Sequence, residues 1–214
     1  MSDGELTDLR RDYARETLSR SSVAHSPFVQ FSKWMDEVLT SQIIDPNAMM
    51  VSTVDAQCRP SSRVVLLKDF DESGFTFFTN YESQKGRDLA ANQNIVLHFF
   101  WPELERQINI SGAAAKTSRE ESEAYFKSRP FESRIGAWAS SQSSVLRSRE
   151  ELENRVEELR TQYADGNVPL PPFWGGFRVT PFRFEFWQGR PSRLHDRICY
   201  NVNGDTWKIE RLYP

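Results

Sequence analysis

The sequence predicts a mainly antiparallel β protein with peripheral helices, of the α+β class, whose strands form a closed or partly closed barrel. Three observations carry this. Five short runs rich in β-branched and aromatic residues follow one another in the middle of the chain: AMMVSTVDA, SSRVVLLKDF, FTFFTN, NIVLHFFW and RQINISGAAAK, with turn chemistry such as DESG between them. Only one short helical stretch, SQKGRDLAANQ, interrupts them, so the strands meander instead of alternating with long helices. Strands resume near the C-terminus at GFRVTPFRFEFWQG, RLHDRICYNV and DTWKIERLYP, and NVNGD joins the last two as a hairpin.

The remaining elements follow in chain order. Residues 1–25 are polar and charged and read as a flexible N-terminal segment, and residues 26–214 as a single domain with helical insertions. From Pro27, apolar residues at Phe28, Phe31, Trp34, Met35, Val38 and Leu39 keep helical spacing over about three turns. Ser118 followed by Glu121 is a capping box that opens a helix, and Pro130 closes it near Ser128 or Arg129. Leu152, Val156, Leu159 and Tyr163 mark one packed stripe on a second, otherwise charged helix.

Composition excludes several classes. A net charge of −3 lacks the basic footprint of a non-specific nucleic-acid binder. The N-terminus has no apolar signal region and no run approaches membrane-spanning length, so a cytoplasmic protein without a membrane partner is expected. Cys58 and Cys199 lie far apart, and neither they nor His25, His98 and His195 form a metal-ligand spacing, so no metal is expected. There is no GxSxG elbow, Walker loop or GxGxxG, and hydrolase and nucleotide-kinase readings lose support. An aromatic content of 13% suits a core, a flat cofactor site or a subunit interface, which counting does not separate.

Cationic and polar groups recur at positions no core requires. In EFWQGRPSRLHDR, an extended RLHDR puts Arg193, His195 and Arg197 on one face, either as a binding wall or as a solvated edge strand. RVVLLK carries Arg63 and Lys68 at its ends, and SQKGRDL offers Ser83, Gln84, Lys85 and Arg87 at a helix start, a natural anion position. YFKSRPFES brings Tyr125, Arg129 and Ser133 within reach of one phosphate, WASSQSS supplies Gln142 and Ser143, and LERQINI supplies Gln107. None of these is specific alone. Together, without an obvious nucleophile, they fit a site whose chemistry belongs to a bound cofactor.

Taken in order, RVVLLK, FFTNYESQKG, FFWPELERQ, YFKSRP, IGAWASSQSS, WGGFRV, EFWQGRPSRLHDR and WKIERLYP resemble the pyridoxamine/pyridoxine 5′-phosphate oxidase family of FMN-binding split β-barrels, from about residue 8 to the end. The resemblance implies a homodimer with FMN at the subunit interface. It implies oxidation of pyridoxamine 5′-phosphate or pyridoxine 5′-phosphate to pyridoxal 5′-phosphate, with O2 as acceptor and H2O2 as product. Carried over by motif, FMN would be bound by Arg63, Val65, Leu66, Lys68, Phe78, Thr79, Gln84, Lys85, Gln107, Gln142, Ser143, Trp187 and Arg197. Substrate would be bound by Lys68, Tyr125, Arg129 and Ser133 at its phosphate, with Arg193 and His195 as catalytic residues at the ring and the reacting carbon. Arg10, Arg11 and Tyr13 resemble a segment that closes over substrate in some relatives.

The chain departs from the family pattern at Gln84, where many relatives have Arg, at Phe78 for a tyrosine, at Asn109 for a frequent Arg, and in RLYP for RLAP. Two alternatives stand beside this expectation: a related flavin oxidase acting on another ring, of phenazine type, and a non-catalytic flavin- or vitamer-binding protein.

Overall fold

A computed structural model of the chain describes residues 12–214. Arg10 and Arg11 lie outside the described residues. The first element, α1 (Pro27–Thr40), starts with a proline in its first turn, where the missing N–H costs nothing. It buries Phe31, Trp34, Met35 and Val38 as the spacing predicts, and runs 14 residues, a turn longer than expected. Leu39, expected on the packed face, is 59% exposed.

The strands are β1 (Ala48–Val54), β2 (Pro60–Leu66), β3 (Asp69–Asp71), β4 (Gly74–Asn80), β5 (Asn94–Trp101), β6 (Arg106–Lys116), β7 (Trp174–Gln188), β8 (Asp196–Asn203) and β9 (Thr206–Leu212). Among the described residues they form one sheet in the order β2-β1-β5-β6-β7-β4-β3, with β8 on β7 and β9 on β8. The 15-residue β7 serves two partners: its first half pairs antiparallel with β4, from Phe75↔Val179 to Asn80↔Trp174, and its second half with β8, from Arg183↔Asn201 to Gln188↔Asp196. The helices are α1, α2 (Gln84–Ala91), α3 (Arg119–Ser128), α4 (Phe131–Ala139) and α5 (Arg149–Gln162). The fold class is as expected, mainly antiparallel β with helices.

Three local expectations are corrected. SSRVVLLKDF is two strands, because β2 ends at Leu66 before β3 begins at Asp69. The extended RLHDR does not form. Pro191–Arg193 is a single 3-10 turn in which Ser192 and Arg193 take left-handed backbone, at φ 58 and 60, and β8 starts only at Asp196. Period-two alternation therefore does not relate Arg193, His195 and Arg197. The third is α4, which was not anticipated: Pro130 follows the Arg129 cap of α3, as read, and is itself the N-cap of the next helix, where no N–H is needed for an intrahelical bond.

The chain forms two compact units, each assembled from separate segments. Among the described residues, one comprises 12–49, 97–111 and 182–214. There α1 packs Phe31 on Phe99 and Trp34 on Phe186 with ring centroids 5.3 and 5.2 Å apart, edge to face. Its β8/β9 hairpin closes at Asn203↔Thr206, with Gly204 supplying the positive φ that the turn needs. Leu18 is buried in this unit, and its N–H donates to Asp196 Oδ2 at 3.0 Å.

The other unit comprises residues 50–96 and 112–181. Its helical core joins Phe126, Ile135, Leu159, Val168, Leu170 and Trp174. Ser118 caps α3 as predicted, accepting the Glu121 N–H at 3.0 Å. The Glu121 carboxylate pairs with Arg178 at 2.8 Å. Ser148 caps α5, whose stripe buries Leu159 and packs Val156 and Tyr163. Cys58 is exposed and Cys199 buried, and both are free thiols. Among the described residues no helix is long and apolar enough to cross a membrane.

Candidate active site

The candidate residues fall into two sets, one in each unit. In the second unit, β4 leads through Asn80 into α2, whose N-cap Ser83 accepts the Gly86 N–H. The chain turns tightly there: a Cβ on Gly86 would stand 2.1 Å from the Tyr81 carbonyl oxygen. This geometry draws Lys85 inward, to 6% exposure. Its ammonium donates to Gln142 Oε1 at 2.8 Å, Thr79 Oγ1 at 3.1 Å and Ser83 Oγ at 3.4 Å, all neutral acceptors. Burial, and secondarily the Arg63 charge, pull its pKa down to about 8.

Arg63 donates to Thr53 Oγ1 at 2.7 Å and Ser61 Oγ at 2.6 Å, and its nearest carboxylate among the described residues, Asp88, is 3.8 Å away. Asp88 is engaged by Thr53 at 2.6 Å and Ser61 at 3.1 Å. Burial lowers the Arg63 pKa and Asp88 partly restores it. Of these two cations only Arg63 has a carboxylate near it among the described residues, and the Lys85 ammonium meets neutral groups alone, an arrangement that attracts an anion. Val65 is half-buried, Leu66 and Lys68 are exposed further along the same strand and just past it, and Gln84 and Ser143 are also exposed.

Beside this group three rings lie nearly parallel. Phe78 and Tyr125 have centroids 3.9 Å apart, and Phe78 and Trp174 5.6 Å. Arg129, which ends α3, lies over the Trp174 ring with its guanidinium carbon 4.6 Å from the centroid. Its Nη1 is buried and has no hydrogen-bond partner among the described residues. Burial also lowers its pKa, against a smaller raising effect from Tyr125. A cavity of about 260 Å³ is lined by Arg129, Ser133, Gln142, Trp174 and Asn80. The cavity brings Arg129 and Ser133 together and adds Gln142; of the four residues expected around the phosphate, Tyr125 and Lys68 are not among its lining residues.

In the first unit, Trp187 and His195 meet with ring centroids 4.5 Å apart, and Tyr13 stands edge-on to both at 5.8 Å. Gly189 is required for this, since a Cβ there would lie 2.8 Å from the Tyr13 ring. His195 Nδ1 accepts the Arg190 N–H at 3.1 Å, so the neutral imidazole carries its proton on Nε2. Burial and then the Arg193 charge hold His195 below its ordinary pKa, favouring that neutral form. Arg193 itself is exposed, and Gln107 is half-buried on β6.

Arg197 sits opposite Trp187 in the β7/β8 register. Its Nε donates to Glu185 Oε1 at 2.8 Å and its Nη1 to the Tyr213 carbonyl at 2.8 Å. Arg183 takes the other Glu185 oxygen at 2.7 Å. Burial pushes the Glu185 pKa up, but bonds from Arg197 and Arg183 outweigh it and leave the carboxyl below its ordinary value. Sequence reasoning missed Glu185, Asp88 and Trp174, although EFWQG, SQKGRDL and WGGFRV contain them. Arg183, two positions before Glu185 on the same strand face, was the available signal for it.

The architecture is that of the split-barrel fold. It matches the crystal structure of PhzG from Burkholderia lata 383 in complex with tetrahydrophenazine-1-carboxylic acid, with a TM-score of 0.88 and 29% identity, covering 94% of this chain and 100% of that one. A pyridoxamine 5′-phosphate oxidase-related, FMN binding protein from Nostoc punctiforme PCC 73102 shares the fold, with a TM-score of 0.70 at 15% identity, covering 90% of this chain and 100% of that one. Residues 35–163 match the family described as pyridoxamine 5′-phosphate oxidase, and residues 174–214 match the pyridoxine 5′-phosphate oxidase C-terminal dimerisation region. A pyridoxine/pyridoxamine 5′-phosphate oxidase of Gloeothece citriformis is 53% identical over 213 residues, 99% of this chain and 100% of the relative. One of Bordetella petrii is 55% identical over 210 residues, 98% and 99% respectively. The chain belongs to the pyridoxamine 5′-phosphate oxidase family.

Proposed function

We propose that the protein is an FMN-dependent oxidase that converts pyridoxamine 5′-phosphate and pyridoxine 5′-phosphate to pyridoxal 5′-phosphate, working as a homodimer with FMN at the subunit interface. The observation that carries the substrate assignment is the buried, unpartnered Arg129 Nη1 beside a cavity that it shares with Ser133. A guanidinium donor and a hydroxyl in one recess suit phosphate oxygens. Tyr125, one helical turn before Arg129, and Lys68 are the further phosphate contacts proposed, outside the lining of that cavity.

The residues also fit a flavin phosphate. Arg63 and Lys85 bring two cations, and Thr79, Ser83 and Gln142 bring neutral polar groups around them. Val65, Leu66, Phe78, Gln84, Ser143, Gln107, Trp187 and Arg197 are the further FMN contacts proposed. Bound FMN supplies two-electron oxidation of the substrate carbon, with O2 taking up the electrons and leaving as H2O2.

The protein's own residues orient and exclude. His195, neutral with its proton on Nε2, offers a hydrogen-bond donor to a substrate ring oxygen without adding charge. Arg193 brings a planar guanidinium to the substrate ring, and Tyr13, edge-on to Trp187 and His195, keeps water from their shared edge. Adding pyridoxine 5′-phosphate or pyridoxamine 5′-phosphate to FMN-loaded protein should release H2O2 with formation of pyridoxal 5′-phosphate. Oxidation of a dihydrophenazine carboxylate but of neither vitamer would establish the phenazine-type alternative, and FMN binding without turnover the non-catalytic one.

A further inference from the structure

Glu105 follows the 3-10 turn Pro102–Leu104 and takes left-handed backbone, φ 56 and ψ 39. For a residue with a Cβ this conformation is strained and persists where surrounding contacts impose it. The contacts are specific. The Glu105 side chain is buried at 6% exposure, and Oε2 accepts two successive backbone N–H groups, from Ala14 at 3.0 Å and Arg15 at 3.1 Å. Arg15 adds a bond from its guanidinium to the Glu103 carbonyl at 2.7 Å. The Glu105 carbonyl accepts the Gly189 N–H at 2.8 Å and Gln188 Nε2 at 3.3 Å.

One residue therefore holds two segments, and each leads directly to the aromatic cluster. Ala14 follows Tyr13, whose ring stands against Trp187 and His195. Gly189 precedes Arg190, whose N–H holds His195 Nδ1 and so sets its tautomer. We propose that Glu105 is a positioning residue for the substrate site, its carboxylate latching the Tyr13 segment and its carbonyl fixing the turn that orients His195. The proposal rests on the reading that Tyr13 and His195 face the substrate. Glu105 touches neither substrate nor FMN; it acts through Tyr13 and His195.

The side-chain and backbone roles separate in Glu105→Gly, because glycine holds φ 56 freely and keeps the carbonyl bonds while the carboxylate grip is lost. In FMN-loaded protein the variant should keep its FMN content and melting temperature. Its kcat/KM for pyridoxine 5′-phosphate should fall roughly tenfold, mainly through KM, as expected for two lost bonds to a carboxylate. Trypsin should cut faster after Arg15. Combining Glu105→Gly with Tyr13→Ala should cost no more than Tyr13→Ala alone, and Glu105→Gln, which keeps an acceptor oxygen, should recover most of the loss. Should the glycine variant fail to accumulate, Glu105→Asn tolerates the same backbone with a side chain one methylene shorter and should give the same readings. Wild-type trypsin sensitivity, or losses that add in the double variant, would overturn the latch itself. Faster cleavage with kcat/KM unchanged in both Glu105→Gly and Tyr13→Ala would overturn the proposal through the site reading on which it rests.

Discussion

Arg129 lies over Trp174, its guanidinium carbon 4.6 Å from the ring centroid, and this stacking leaves Nη1 buried without a hydrogen-bond partner among the described residues. A donor withheld from water in this way costs free energy in the empty protein and regains it when an anion enters. Arg129→Met should therefore lower kcat/KM for pyridoxine 5′-phosphate by roughly 100-fold while leaving apo stability unchanged or slightly higher. Steady-state kinetics and thermal denaturation of the same preparation check both halves.

Lys85 carries a pH signature. Its folded pKa is about 8 against an ordinary 10.5, so between those values the unfolded chain holds more protons at this site. Its contribution to apo stability therefore rises with pH across that window, and the buried charge is a cost below it. Lys85→Met should be more stable than wild type as apoprotein at pH 7, an advantage that shrinks by pH 10.5. FMN affinity should move the opposite way: strongest below pH 8, weakening above it as the ammonium is lost, and weak and less pH-dependent in Lys85→Met. Fluorescence titrations of FMN at several pH values test this.

Glu185 is buried between Arg183 and Arg197 at 2.7 and 2.8 Å, and its pKa is depressed on balance. The stabilisation this implies is present above the ordinary carboxyl value of 4.5 and is lost as the pH falls through the lower folded value. Glu185→Gln should cost about 1–3 kcal/mol at neutral pH, less than a fully buried pair because both arginines are partly exposed. Urea denaturation across the acid range should show the gap closing as the wild-type carboxyl protonates.

Gln84 is exposed at the first position of α2, next to the buried Lys85. A guanidinium there adds charge at a helix N-terminus already suited to anions. Gln84→Arg should tighten FMN by roughly tenfold at low ionic strength, with less gain at high salt. An unchanged or weaker dissociation constant would remove Gln84 from the FMN site.

The sequence carried what local periodicity and punctuation encode. The apolar spacing after Pro27, the Ser118 cap and the Asn203-Gly204 turn each state their element within a few residues, and all three formed. The extended reading of RLHDR failed because alternation presumes β backbone, while Pro191 opens a 3-10 turn and Ser192 and Arg193 are left-handed. Pro130 was legible as a stop, and its equal fitness as a start was overlooked, which hid α4. The acidic partners were beyond local reading: Asp88 reaches Thr53, 35 residues back, and Glu105 reaches Ala14, 91 back, so only the folded chain reveals which charges they serve.

If Arg129 and Ser133 recognise the substrate phosphate, as proposed, the oxidase discriminates phosphorylated from unphosphorylated vitamers. Peroxide release by the FMN-loaded protein, compared between pyridoxine 5′-phosphate and unphosphorylated pyridoxine, tests it most directly. The kcat/KM for the phosphate ester should be at least about 100-fold higher. Comparable values for the two substrates would contradict it.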